Sequence, residues 1–156
     1  IHQTGEEMTL EKVTPEKPVR KKPKSKGITV KAKKKSAICH AVVHKGTGVV
    51  RINKRNLETI EPRIVRDFIK EPIEIAGPVA SEINITIHVQ GSGFMSQAAA
   101  CRTAIAKALV AYKKDEKLKK RMLAYDRALL VDDVRRKEAK KQLGVGARRR
   151  KQKSKR

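Results

Sequence analysis

Twenty of the 23 net positive charges on this 156-residue chain sit in two flanking segments, and that segregation decides which residues are able to build a core. Residues 17–35 hold ten Lys and Arg and no acid, and residues 133–156 hold twelve basic and two acidic residues. Between them, residues 36–132 carry sixteen basic and ten acidic residues; residues 1–16 carry one Lys and four Glu. Segments this polar bury too little apolar surface to offset an ordering cost of about 1–2 kcal/mol per residue. The expected organisation is therefore an N-terminal extension over residues 1–30, disordered without a partner, a globular domain over 31–131, and a basic tail over 132–156. Pro15, Pro18 and Pro23 favour extended backbone in the first arm.

A chain so basic needs a polyanion beside it, nucleic acid first and an anionic membrane surface second. No apolar run reaches the roughly 18 residues of a membrane span, so no membrane partner is expected, and the acidic start lacks a signal-peptide core. Neither arm has an aromatic residue. Base stacking is thus not their main contribution; phosphate contact is, with Arg suited to bidentate geometry. A solvated charge run or a nuclear-import signal is the alternative reading of either arm.

The middle alternates between strand and helix periods. Ala37, Cys39, Ala41 and Val43 face one way and Ile38, His40, Val42 and His44 the other. Lys45–Gly48 is a turn signal and Val49–Asn53 a return strand, which predicts a hairpin. Pro62 is expected to open a helix that Glu71-Pro72 ends at Lys70, with a short strand over Ile73–Ala76. Glu82–Gln90 is the clearest strand, with Ile83, Ile85, Ile87 and Val89 on one face. A helix over Met95–Tyr112 carries Ala98, Cys101, Ile105, Ala108, Leu109 and Tyr112 on one stripe, and a second runs over Glu116–Ala124. The fold class is α/β: an α+β two-layer sandwich, a mixed sheet backed by helices.

Chemistry is sparse. Cys39 and Cys101 lack CxxC spacing and read as two reduced core thiols. His40 and His44, four apart on a strand and so roughly 13 Å apart, cannot share a metal; with His88 they read as surface or RNA-facing. Gly91-Ser92-Gly93 at a strand-to-helix junction suits an anion at the helix N-terminus. It lacks Gly-Lys-Ser/Thr, and Ser96 stands where GxGxxG needs a third Gly. An RNA phosphate fits it better than a nucleotide, and plain turn chemistry is the bland alternative. Asp132-Asp133 beside Arg135-Arg136 suggests internal ion pairs rather than a Mg²⁺ site. No catalytic constellation, metal site or cofactor is expected.

Taken in order, these landmarks resemble universal small-subunit ribosomal protein nine, in its archaeal or eukaryotic form. Lys33-Lys34-Lys35-Ser36-Ala37 resembles the family's basic opening, Gly46-x-Gly48 with Asn53 its hairpin, and Glu71-Pro72 its next landmark. Gly91-Ser92-Gly93-Phe94, Gln97-Ala98 and Arg102-x-x-Ile105 resemble its Gly-rich loop and helix. Tyr125-Asp126-Arg127, Asp133-x-Arg135-Arg136-x-Glu138-x-Lys140-Lys141, Gly146-Ala147-Arg148 and the closing Gln152–Arg156 resemble its tail. The resemblance covers residues 31–156. Ala32, Ser92 and Ser96 stand where the family has Gly, and Val134 and Ala139 where it often has Pro.

The resemblance implies the fold of the second domain of ribosomal protein five, with a left-handed crossover, and a cytoplasmic ribosomal protein of the small-subunit head. It implies partners in the 3′ domain of the small-subunit rRNA, neighbouring head proteins and the P-site tRNA, and no homo-oligomer. On matched positions, rRNA contacts fall to Lys33, Lys34, Lys35, Gly91, Ser92, Gly93, Gln97, Arg102, Arg135, Arg136, Lys140, Lys141, Arg148, Arg149 and Arg150. The tRNA anticodon stem-loop falls to Lys153, Ser154, Lys155 and Arg156. Residues 133–156 extended would reach at most ~80 Å. A free-standing nucleic-acid chaperone, which would sediment away from ribosomes, and an enzyme, which would bind ATP at Gly91–Gly93, are the competing readings.

Overall fold

A computed structural model describes residues 27–149 and Ser154. The elements follow the order β1 (Ile28–Lys34), β2 (Ala37–Lys45), β3 (Val50–Ile52), β4 (Arg55–Asn56), a 3₁₀ turn (Leu57–Thr59), α1 (Arg63–Ala76), α2 (Pro78–Ser81), β5 (Ile83–Gln90), α3 (Phe94–Lys113), α4 (Glu116–Tyr125) and a second 3₁₀ turn (Arg127–Leu129). The strands form one five-stranded mixed sheet in the order β1-β2-β5-β3-β4. Ala37, Cys39, Ala41 and Val43 of β2 and Ile83, Ile85, Ile87 and Val89 of β5 are all buried on one face, as the period of two requires. Each buried Ile or Val contributes about 1.5–3 kcal/mol relative to an exposed one.

Helix α3 crosses this apolar face and is covered on its far side by α1. Its burial is therefore wider than the single stripe read from the sequence, and Ala100, Ala104 and Ala106 are also fully enclosed. Alanines permit this because a helix without bulk lies close to the sheet and to a second helix at once.

Three expectations are corrected. The predicted hairpin of β2 with β3 does not form, because β5 lies between them, antiparallel to β2 and parallel to β3. The Gly46–Val49 loop crosses the start of β5 instead. Gly46 and Gly48 donate backbone bonds to Glu82 and Ile83, and the Asn84 carboxamide oxygen accepts from the N–H groups of Thr47 and Val49 at 2.9 and 3.0 Å. A Cβ on Gly46 would stand 2.1 Å from the Asn84 side chain, so the crossing needs Gly there. The helix opened at Pro62 does not stop before Pro72, and Ile73–Ala76 is helix rather than strand. Val65, Ile69, Pro72 and Ala76 recur at helical spacing on the buried side, and their burial outweighs the ~3 kcal/mol of an interior proline.

The third correction concerns Ile28–Val30, expected in the N-terminal extension, which continue with Lys31–Lys34 of the domain as one strand. It is an edge strand, pairing in register from Ile28 with Val43 to Lys34 with Ala37. Alternation explains it. Ala32 is fully buried, whereas Lys31 and Lys33 lie on the opposite face of the strand, so a segment rich in charge still offers one face to the core. Residues 1–26 of the expected extension lie outside the described residues.

Candidate nucleic-acid interface

Three segments far apart in sequence meet at one end of the sheet: the β1–β2 turn, the loop before α3, and the start of the tail. Lys33, Lys35, Ser36, Ser92, Arg135, Arg136 and Lys137 line an open basin of about 730 Å³ there, with five cations and no carboxylate on its wall. The turn is tight, and Lys35 adopts the left-handed conformation at φ 54°. Gly91, at φ 84°, brings the Gly-rich loop against that turn so closely that a Cβ would lie 2.5 Å from the Ser36 carbonyl oxygen. Close backbone approach is the physical reason for Gly at this position. Gln97 donates from Nε2 to the Gly91 carbonyl at 3.1 Å, so this predicted contact residue holds the loop's shape from inside the helix. Gly93 precedes Phe94 as the N-cap of α3.

The tail is tied to the basin by two aspartates. Asp132 accepts from the Lys33 backbone N–H at 3.3 Å and from Lys107 at 2.7 Å. Asp133 pairs with Lys34 at 3.0 Å and with Arg135 at 2.9 Å. The Arg135 side chain, its backbone N–H and Lys34 hold the Asp133 carboxyl far below the usual carboxylate range, and Asp133 in turn raises Arg135. The internal pairing expected of Asp132-Asp133 with its neighbours is thus present for Asp133 and Arg135. Lys34, predicted to touch RNA, spends its ammonium on Asp133 from the helix side of β1.

Arg102, expected at RNA from its place in the motif, is largely buried, with its side chain only 9 % exposed. It pairs with Glu71 of α1 and, at 2.7 Å, with Asp126, and its guanidinium carbon lies 4.6 Å from the Phe68 ring centroid. Partial burial pulls the Asp126 carboxyl upward, but the bond and charge of Arg102 and the Ala128 N–H more than offset it, leaving it below its ordinary value. Arg102 therefore joins α1, α3 and the second 3₁₀ turn. Sequence spacing could not reveal this, because both acids come from other elements.

Further along the tail, Lys140, Lys141 and Arg149 are exposed, and Arg148 pairs with Glu138 at 3.0 Å. Ser154 is exposed; Arg150, Lys153, Lys155 and Arg156 lie outside the described residues. Ser36 and Lys137 line the basin and were not among the expected site residues; Lys137 lies in the basic run beside Arg136, and Ser36 follows the Lys33–Lys35 run in the opening motif. Cys39 and Cys101 are free and buried, and the two thiols are neighbours. Among the described residues no group of three or more His, Cys, Asp or Glu is arranged to hold a metal, and no helix is long and apolar enough to cross a membrane.

A small α/β domain with a basic concavity whose wall carries no carboxylate, joined to a cationic tail, defines a polyanion-facing protein. Residues 32–156 match the family model for ribosomal protein S9/S16. The chain is similar to small ribosomal subunit protein uS9 of Picrophilus torridus, 47 % identical over 122 residues that cover 78 % of this chain and 92 % of the relative. It is similar also to the proteins of that name from Thermoplasma acidophilum, 46 % identical with 78 % and 95 % covered, and Halobacterium salinarum, 46 % identical with 78 % and 93 % covered. The chain belongs to the ribosomal protein S9/S16 family.

Proposed function

We propose that this chain is a structural constituent of the small ribosomal subunit in the cytoplasm, where its basin holds rRNA phosphates of the head among neighbouring ribosomal proteins and its tail reaches the P-site tRNA. The observation that carries the rRNA reading is the convergence of Lys33, Lys35, Arg136 and Lys137, beside the Asp133-paired Arg135, around one cavity whose wall carries no carboxylate. Such a site repels itself in water and is relieved by phosphate, which displaces counterions as it binds. Gly91, Gly93 and Gln97 shape the loop on its rim, while Lys140, Lys141, Arg148 and Arg149 extend the cationic track. The domain acts as a scaffold, not as an enzyme.

Two measurements test this reading. The protein should co-purify in stoichiometric amount with small subunits through a high-salt wash; its loss there would reject the structural role. Deleting Lys155 and Arg156 should leave assembly nearly intact and weaken P-site tRNA binding. Undiminished tRNA affinity would reject the role of Lys153, Ser154, Lys155 and Arg156 while leaving the rRNA role standing.

A further inference from the structure

The two cysteines take no part in the basin, yet the fold brings them together. Cys39 on β2 and Cys101 on α3 are both enclosed, with 0 % and 1 % of their surface exposed. Cys39 stands directly across from Val89 of β5 on the buried face of the sheet. Val89 and Cys101 in turn line one cleft of about 450 Å³ between α1, α3 and the sheet. The two thiols are hydrogen-bonded to each other, in agreement with the contact that register and cleft indicate. Among the described residues no His, Asp or Glu joins them as a third metal ligand. Cys39 lies three residues beyond Ser36, and α3 starts directly after the Gly-rich loop, so the pair ties together the two elements that bracket the basin.

We propose that Cys39 and Cys101 are a disulfide-forming pair, a modification site at which oxidation staples β2 to α3. The site stands apart from the RNA reading and does not depend on it. The oxidant is a low-molecular-weight disulfide such as glutathione disulfide. One cysteine thiolate attacks it, forming a mixed disulfide and releasing one glutathione; the second cysteine then displaces the other glutathione. The oxidant's S–S bond breaks, the Cys39–Cys101 bond forms, and the two thiol protons pass to the two released glutathiones. Two electrons leave the protein. Because both thiols are enclosed, exchange begins on the opened chain, and refolding seals the bond inside the core. In a reducing compartment the pair stays a dithiol, so the staple records the redox conditions under which the chain last folded. Its stabilising effect comes from the unfolded state, where the bond closes a loop of about 60 residues.

The test equilibrates the full chain in buffers of fixed glutathione to glutathione disulfide ratio, in native buffer and in denaturing urea, starting from both the reduced and the oxidised protein. Acid quenching, iodoacetamide labelling and mass spectrometry then count the free thiols. A fold that holds the two sulfurs in contact favours their bond. The equilibrium constant for the intramolecular disulfide should therefore be about 100-fold larger in native buffer than in urea. The product should be a monomer two hydrogens lighter than the reduced chain, with Tm raised by roughly 10 °C. Dithiothreitol should reverse both changes once the chain is unfolded. C39S and C101S should each lack the intramolecular bond and the rise in Tm. An equal or smaller constant in native buffer would overturn the proposal, since the fold would then resist the bond. Wild-type chain that accumulates only glutathione adducts or disulfide-linked dimers would overturn it as well. Neither result bears on rRNA affinity, so the basin reading and this one fail separately.

Discussion

Replacing Arg102 by Ala should destabilise the domain without touching the basin. The side chain is 9 % exposed and bonds two carboxylates, Glu71 and Asp126, which are 26 % and 36 % exposed. Hydrogen bonds to charged groups contribute about 1.5–3 kcal/mol each, and stripping one partner from a buried pair costs about 3–5 kcal/mol. Both carboxylates retain some contact with water, which lowers the cost, while loss of the guanidinium over Phe68 adds about 0.5–2 kcal/mol. A total of about 3 kcal/mol follows, a drop in Tm of roughly 10 °C for a domain of this size. Urea titration followed by far-ultraviolet circular dichroism would measure it. R102K should recover only part of the loss, because an ammonium has no planar fork to span two acids on different elements. A loss below ~1 kcal/mol would refute the assignment, and so would unchanged stability with reduced rRNA affinity, since that result belongs to a residue that faces RNA.

The same pairing sets the acid limb. Asp126 and Asp133 both have lowered folded-state values. Their stabilisation is therefore present above the unfolded carboxylate value of about 3.9 and is lost as pH falls through the folded values, so urea midpoints should decline below about pH 4; D126N should flatten that decline. The Cys101 thiol is pushed up by its hydrogen bond with Cys39, by burial and by the Cys39 charge, so alkylation of either cysteine should proceed at the global unfolding rate, and fast labelling of the native protein would contradict the packing. G91A places a Cβ 2.5 Å from the Ser36 carbonyl oxygen at a φ of 84°; it should cost about 1–3 kcal/mol and weaken rRNA binding beyond the loss in stability, and wild-type behaviour in both would sink the close-approach account.

Local pattern determined much of this protein. The alternation in Glu82–Gln90 and Ala37–Val43 specified two strands and their buried faces, because side chains on a strand must alternate whatever the strand pairs with. The small-residue stripe specified α3 in the same way, and the order of motifs specified the family. Pairing was beyond the sequence: Val49–Asn53 reads as the second arm of a hairpin, yet β5 displaced it because β5 offers β2 a longer apolar partner. Pro72 reads as a stop, and only the packing of α1 on α3 overrides it. Lys33, Lys35, Ser92, Arg135 and Arg136 each signalled phosphate contact, but their meeting in one basin with Ser36 and Lys137 depends on Gly91 touching the β1–β2 turn. Charge alone was a poor guide to burial: Arg102 and the Lys residues of β1 have identical formal charges, and only the positions of Glu71, Asp126 and Asp133 in space decide which cations are spent inside the protein and which face outward.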